Sequence, residues 1–241
     1  NMRIYLAQIN PVVGDLQGNS ALIKQAALDA LEQGADLLVT PELALTGYPP
    51  RDLLDRSAFR NDVRKELEEL SKAIPLPALI GTIVTHPADN HSSSPQLYNA
   101  AVYIERNQTQ AVHRKMLLPT YDIFDEARYF TPGTEPTVIH VDNIPIGITI
   151  CEDIWNDKTY WHHPRYEHDP IEDTVAENAE LIINLSASPY ERGKPQTRLK
   201  VIQNQARKHS IPIVYCNQVG GNDSLLFDGR SFCINAAGQV L

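Results

Sequence analysis

Cysteine is scarce, with three in 241 residues, and the odd count of Cys151, Cys216 and Cys233 without a CxxC spacing supports neither a disulfide framework nor a zinc site. Basic residues are also short. Lys and Arg total 21 against 30 Asp and Glu, giving a formal charge of -9 and a pI near 5.3. That balance excludes a broad nucleic-acid or anionic-membrane surface, which needs clustered cations, and suits a small-molecule substrate better. No apolar run approaches membrane-spanning length, and "MRIYLAQI" has neither a basic leader nor a cleavage site, so a cytoplasmic protein is expected. Asn1 ahead of Met2 reads as a residue added in cloning. No GxSxG elbow and no SGGxDS motif occurs, and "VGGND" lacks the Lys and Ser/Thr of a P-loop and reads as a turn. His162, His163 and His168 match no strong ligand spacing, so no metal is expected.

Hydrophobic residues make up 42% and charged residues 21%, enough to bury a sizeable core in one domain over 1–241. Strand-like and helix-like segments alternate. Strands are predicted over 3–9, 36–42, 78–84, 97–105, 137–141, 144–150, 179–188 and "IPIVYCNQ", with a last hairpin in "RSFCINAAGQVL". Helices are predicted over 19–34, capped by Asn19 or Ser20 and stopped by Gly34, over 58–73 and over 196–209. Mixed order with some antiparallel neighbours points to an α/β layered sandwich with helices outside the sheets. "PADNHSSSPQ" (87–96) reads as a mobile loop and 156–173 as an ordered surface insertion. Cys216 and Cys233 lie in strand-like runs and read as small buried residues.

Three ionisable residues stand at or just beyond buried strand ends: Glu42 after "LLVTP", Lys115 in "AVHRKMLLP" and Cys151 after "IGITI". Such ends face the ligand clefts of α/β folds on a rigid backbone. Cys151 is followed by Glu152 and Asp153, whose charge should blunt a thiol. A lysine nearby would favour the thiolate, and a carboxylate such as Glu42 could take its proton. Taken singly, each residue also fits a bland role: core cysteine, turn glutamate, solvated lysine.

"TPELALTGYPPRDLL", "HRKMLLPTYDIFDEARYFTPG" and "GITICEDIW" resemble the three signature blocks of the nitrilase, or carbon–nitrogen hydrolase, superfamily, which carry its Glu, Lys and Cys in that order. More narrowly, "GYPPRDLL", "YDIFDEARYF", "CEDIW", "NLSASPYERGK" and "NQVGGNDSLLFDGRSF" are similar to glutaminase domains of glutamine-dependent NAD synthetases. The resemblance implies a four-layer α-β-β-α sandwich hydrolysing L-glutamine, with Cys151 as nucleophile, Glu42 as base and Lys115 and the Glu152 N–H as oxyanion donors. It further implies Tyr121, Glu152, Ser188 and Lys194 as substrate-binding residues, with Glu126 near a second carboxylate known in many relatives. It also implies a C-terminal synthetase domain using ATP, Mg and deamido-NAD, so the chain reads as a C-terminally truncated piece, and self-association into a homo-oligomer. Two alternatives stand beside this reading: a free-standing amidase for another small amide, and an assembly module with an idle triad.

Overall fold

The computed structural model describes residues 1–86, 95–120, 125–155 and 167–241. In chain order its elements are β1 (Ile4–Leu6), α1 (Leu16–Glu32), β2 (Leu37–Val39), α2 (Ser57–Ala73), β3 (Ala78–His86), β4 (Gln96–Glu105), β5 (Gln108–Arg114), β6 (Thr137–Val141) and β7 (Ile144–Ile150). Then follow α3 (Pro170–Ala176), β8 (Leu181–Ser186), α4 (Lys194–His209), β9 (Ile213–Asn217), β10 (Val219–Asn222), β11 (Leu225–Asp228) and β12 (Phe232–Ile234). Two five-stranded sheets form, ordered β1-β2-β3-β4-β5 and β12-β9-β8-β7-β6. In each, three neighbouring strands run parallel and antiparallel strands complete the sheet.

Period-2 alternation sorts the side chains into layers. Leu37 and Val39 of β2 pack between the sheets with Ile148, Ile150, Ile183, Leu185 and Cys216, while Leu38 turns outward to Ile23, Ala27 and Leu70 of α1 and α2. On the other side, Ile182, Ile213 and Tyr215 turn outward to Ile171, Ile202 and Ala206 of α3 and α4. Each fully buried aliphatic side chain contributes about 1.5–3 kcal/mol of transfer free energy, and the inter-sheet layer fixes how the two sheets' strand ends face each other. The expected α-β-β-α sandwich is thus the observed architecture.

Local boundaries differ from the periodicity in instructive ways. Helix α1 starts at Leu16, three residues before the expected cap, because Asp15 accepts from Gly18 N–H at 2.9 Å. Asn19 lies inside the helix, where its amide bonds Val12 N–H, Val12 C=O and Leu45 C=O and ties the helix to the segment after Glu42. "VGGN" is a strand rather than a turn; it pairs with β11, and the turn falls at Asp223–Ser224. Within the predicted insertion, Pro170 opens α3 behind an Asp169 cap; 156–166, with His162 and His163, lie outside the described residues, as do 87–94 of the predicted loop. Cys216 is fully buried, but Cys233 only partly. Among the described residues no helix is long and apolar enough to cross a membrane.

Candidate active site

The three strand-end residues converge across the two sheets. Lys115 directly follows β5 and Glu42 sits three residues beyond β2 in the first sheet; Cys151 directly follows β7 in the second. Two glycines let the chain close in. A Cβ on Gly81 would stand 2.0 Å from the Pro41 carbonyl oxygen, and one on Gly133 would stand 2.2 Å from that of Arg114. β3 can therefore press on the Glu42 turn, and Gly133 N–H can reach the Lys115 carbonyl at 2.7 Å.

Lys115 and Glu42 are both about 1% exposed. The Lys115 ammonium donates to Glu42 Oε1 at 2.7 Å and to Glu126 Oε2 and Oε1 at 2.9 and 3.1 Å. Asn99 Nδ2 also donates to Glu42 Oε1, at 2.8 Å, and Ala187 N–H donates to Oε2 at 3.1 Å, so three donors hold the carboxylate in one orientation. Tyr48 O–H donates to Glu126 Oε1 at 2.7 Å. Burial alone would pull the Lys115 ammonium down, but Glu126 and Glu42 hold it well above the ordinary lysine value. Burial pushes Glu126 up, while Lys115 and the Tyr48 hydroxyl oppose the shift.

Cys151 adopts a left-handed φ of +42° at the head of a 3-10 turn running from Cys151 to Ile154. A β-carbon makes that conformation costly, and strained positions of this kind collect at reactive sites. Burial, then Glu42, push its thiol above the usual range; Lys115 opposes them, and Glu152 and Glu126 add to the rise. The expected influence of the lysine on the thiol is present, but burial and Glu42 outweigh it. Two carboxylates already engage Lys115, so the sulfur rests as a thiol and its proton must leave during attack. Alkylation of Cys151 by a neutral reagent should accordingly keep rising above pH about 8.5, the free-thiol value. A labelling-rate profile from pH 6 to 10 checks this; a plateau near pH 7 would indicate a preformed ion pair.

Of the remaining predicted site residues, Glu152 is buried and lies within electrostatic reach of the sulfur. Ser188 is buried just past β8, with its N–H donating to Asn217 Oδ1 at 2.9 Å and its carbonyl accepting from Asn217 Nδ2 at 3.3 Å. Lys194 is half-buried at the start of α4, and Tyr121 lies outside the described residues. The sequence reading left Glu126 out of the catalytic set, yet its carboxylate bonds Lys115 directly. It missed Asn99 and the Ala187 N–H, and although it quoted Tyr48 it gave that residue no role.

The family model for carbon–nitrogen hydrolases matches residues 3–241. The chain belongs to the carbon–nitrogen hydrolase family. Among relatives of this hydrolase, a glutamine-dependent NAD(+) synthetase of Synechocystis sp. is 44% identical over 99% of this chain and 43% of its own length. One from Thermotoga maritima is 40% identical over 100% of this chain and 39% of its own. The hydrolase thus spans about two-fifths of the curated relatives it matches. A solved NAD+ synthetase from Acinetobacter baumannii superposes with a TM-score of 0.88 at 34% identity, covering 99% of this chain and 42% of that one. An amidase from Nesterenkonia sp. superposes at 0.80 with 25% identity, over 100% of this hydrolase and 84% of the amidase.

Proposed function

We propose that this domain, residues 1–241, hydrolyses the side-chain amide of L-glutamine and supplies ammonia to a C-terminal synthetase domain that amidates deamido-NAD with ATP and Mg. The observation that carries the reading is the buried Lys115 ammonium bonded to both Glu42 and Glu126, within electrostatic reach of Cys151 on the other sheet. The names of the relatives supply the substrate and the partner domain.

In this mechanism Cys151 Sγ attacks the carboxamide carbon while Glu42 takes the thiol proton. Lys115 and the Glu152 N–H stabilise the tetrahedral oxyanion. Collapse breaks the C–N bond, and Glu42 returns the proton to the departing nitrogen as ammonia. Glu42 then deprotonates a water that hydrolyses the glutamyl thioester, releasing glutamate and restoring the thiol. Glu126 keeps Lys115 charged and aimed; Tyr48 holds Glu126. Ser188 and Lys194, with Tyr121, are the proposed contacts for the amino-acid end of the substrate, where Glu152 would meet the α-ammonium. The proposal extends to a cytoplasmic protein that self-associates through its helical layers, on the strength of the family resemblance.

The test compares glutamate and ammonia release from L-glutamine with hydrolysis of ω-amides that lack the α-ammonium. A strong preference for L-glutamine, with the two products formed one to one, is the expected result. Equal rates would instead identify an amidase for other small amides; the Nesterenkonia neighbour is itself named an amidase.

A further inference from the structure

Asp153 follows the nucleophile by two residues, and its charge turns away from the sulfur. Its carboxylate is fully buried. Oδ1 accepts from Met116 N–H at 3.0 Å and Leu117 N–H at 2.9 Å; Oδ2 accepts from Ile150 N–H at 2.9 Å and faces His113 Nε2 at 3.3 Å. A carboxylate can only accept, so Nε2 carries a hydrogen, and His113 Nδ1 meets Thr137 Oγ1 of the second sheet at 2.9 Å. These partners bracket the site. His113 is two residues before Lys115, Met116 and Leu117 come directly after it, and Ile150 directly precedes Cys151.

We propose that Asp153 is a positioning residue: its single carboxylate bonds the chain on both sides of Lys115 and the peptide before Cys151, and so fixes the cation of one sheet against the sulfur of the other. Four acceptor positions serve four donors. Asn at this site keeps the shape but turns an NH2 toward one pair of donors, so either the Lys115 segment or the Cys151 turn loses its anchor. The role holds for any amide substrate and rests only on Cys151 being the nucleophile.

The experiment measures the rate at which iodoacetamide alkylates Cys151 at pH 9 in the 241-residue chain. It compares wild type, Asp153→Asn, Lys115→Met and the double variant, with Cys216 labelling as the reporter of unfolding. Lys115 favours ionisation of the thiol, so the labelling rate reads its position. Misplacement should slow Cys151 labelling by about 10-fold or more in Asp153→Asn but by less than about 2-fold when Lys115 is already Met. An equal factor in both backgrounds, or none in the first, overturns the proposal. Where a variant exposes Cys216, His113→Phe decides. It removes the ring's contacts to Asp153 and Thr137 while leaving the three backbone donors on the carboxylate, and should slow Cys151 labelling by about 2-fold; unchanged labelling overturns the proposal. Failure here leaves the glutamine reading untouched, because no step uses glutamine.

Discussion

Glu42→Gln is expected to move two properties of Cys151 in opposite directions. Turnover should fall by about 10²–10⁴-fold, because no group remains at that position to accept the thiol proton or return it to the leaving nitrogen. Simple alkylation of the sulfur should instead become faster at neutral pH. After burial, Glu42 is the largest influence holding the thiol up, and removing its charge leaves Lys115 opposed by burial and the smaller influences of Glu152 and Glu126. Steady-state kinetics and labelling of the same preparation read both effects. If turnover and labelling fell together, Glu42 would be organising the pocket rather than acting as the base.

Lys115→Met should damage activity and stability at once. Loss of an oxyanion donor costs about 2.7–4 kcal/mol of transition-state stabilisation. Removing one partner of a buried ion pair destabilises the fold by about 3–5 kcal/mol, because the stranded carboxylates keep their desolvation penalty. The pH dependence has a definite sign. Glu126 is already raised by burial, and in the variant it loses the cation that opposes the shift. A carboxyl whose folded pKa exceeds the unfolded value of about 4.3 contributes stability below that value and loses it as pH rises. The melting midpoint of Lys115→Met should therefore lie closest to wild type near pH 5 and furthest below it near pH 8. A deficit independent of pH would show that Lys115 does not offset the buried carboxylates.

The layers and the three converging residues were legible because both depend on local pattern. Short apolar runs in "DLLVTPE" and "IGITI" mark strands buried on both faces, and the ends of such strands face the ligand clefts of α/β folds. The β6–β7 hairpin was placed residue for residue because "VDNI" carries a turn both of whose central residues adopt positive φ. What escaped the sequence depends on partners distant along the chain. Asn99 reads as one polar residue within "LYNAAVYIE", and only the meeting of β4 with the Glu42 turn gives it a role. Asp153 reads as a charge hostile to the thiol, but backbone donors some 36 residues away absorb that charge. Lys115 reads as a cation that favours the thiolate, and it does; what the sequence hid is that two carboxylates, one of them Glu126 at 11 residues' separation, also bond it. Asn19 mimicked a helix cap because buried asparagines and capping asparagines look alike until the tertiary partner is known.

The central claim is that Cys151 is the nucleophile of a glutamine site. Its most direct test is intact mass and peptide mapping after exposure to the electrophilic glutamine analogue 6-diazo-5-oxo-norleucine, with and without competing L-glutamine. The account predicts a single adduct, on Cys151 and neither Cys216 nor Cys233, that L-glutamine suppresses. An adduct confined to another residue, or one on Cys151 that L-glutamine fails to protect, would contradict it.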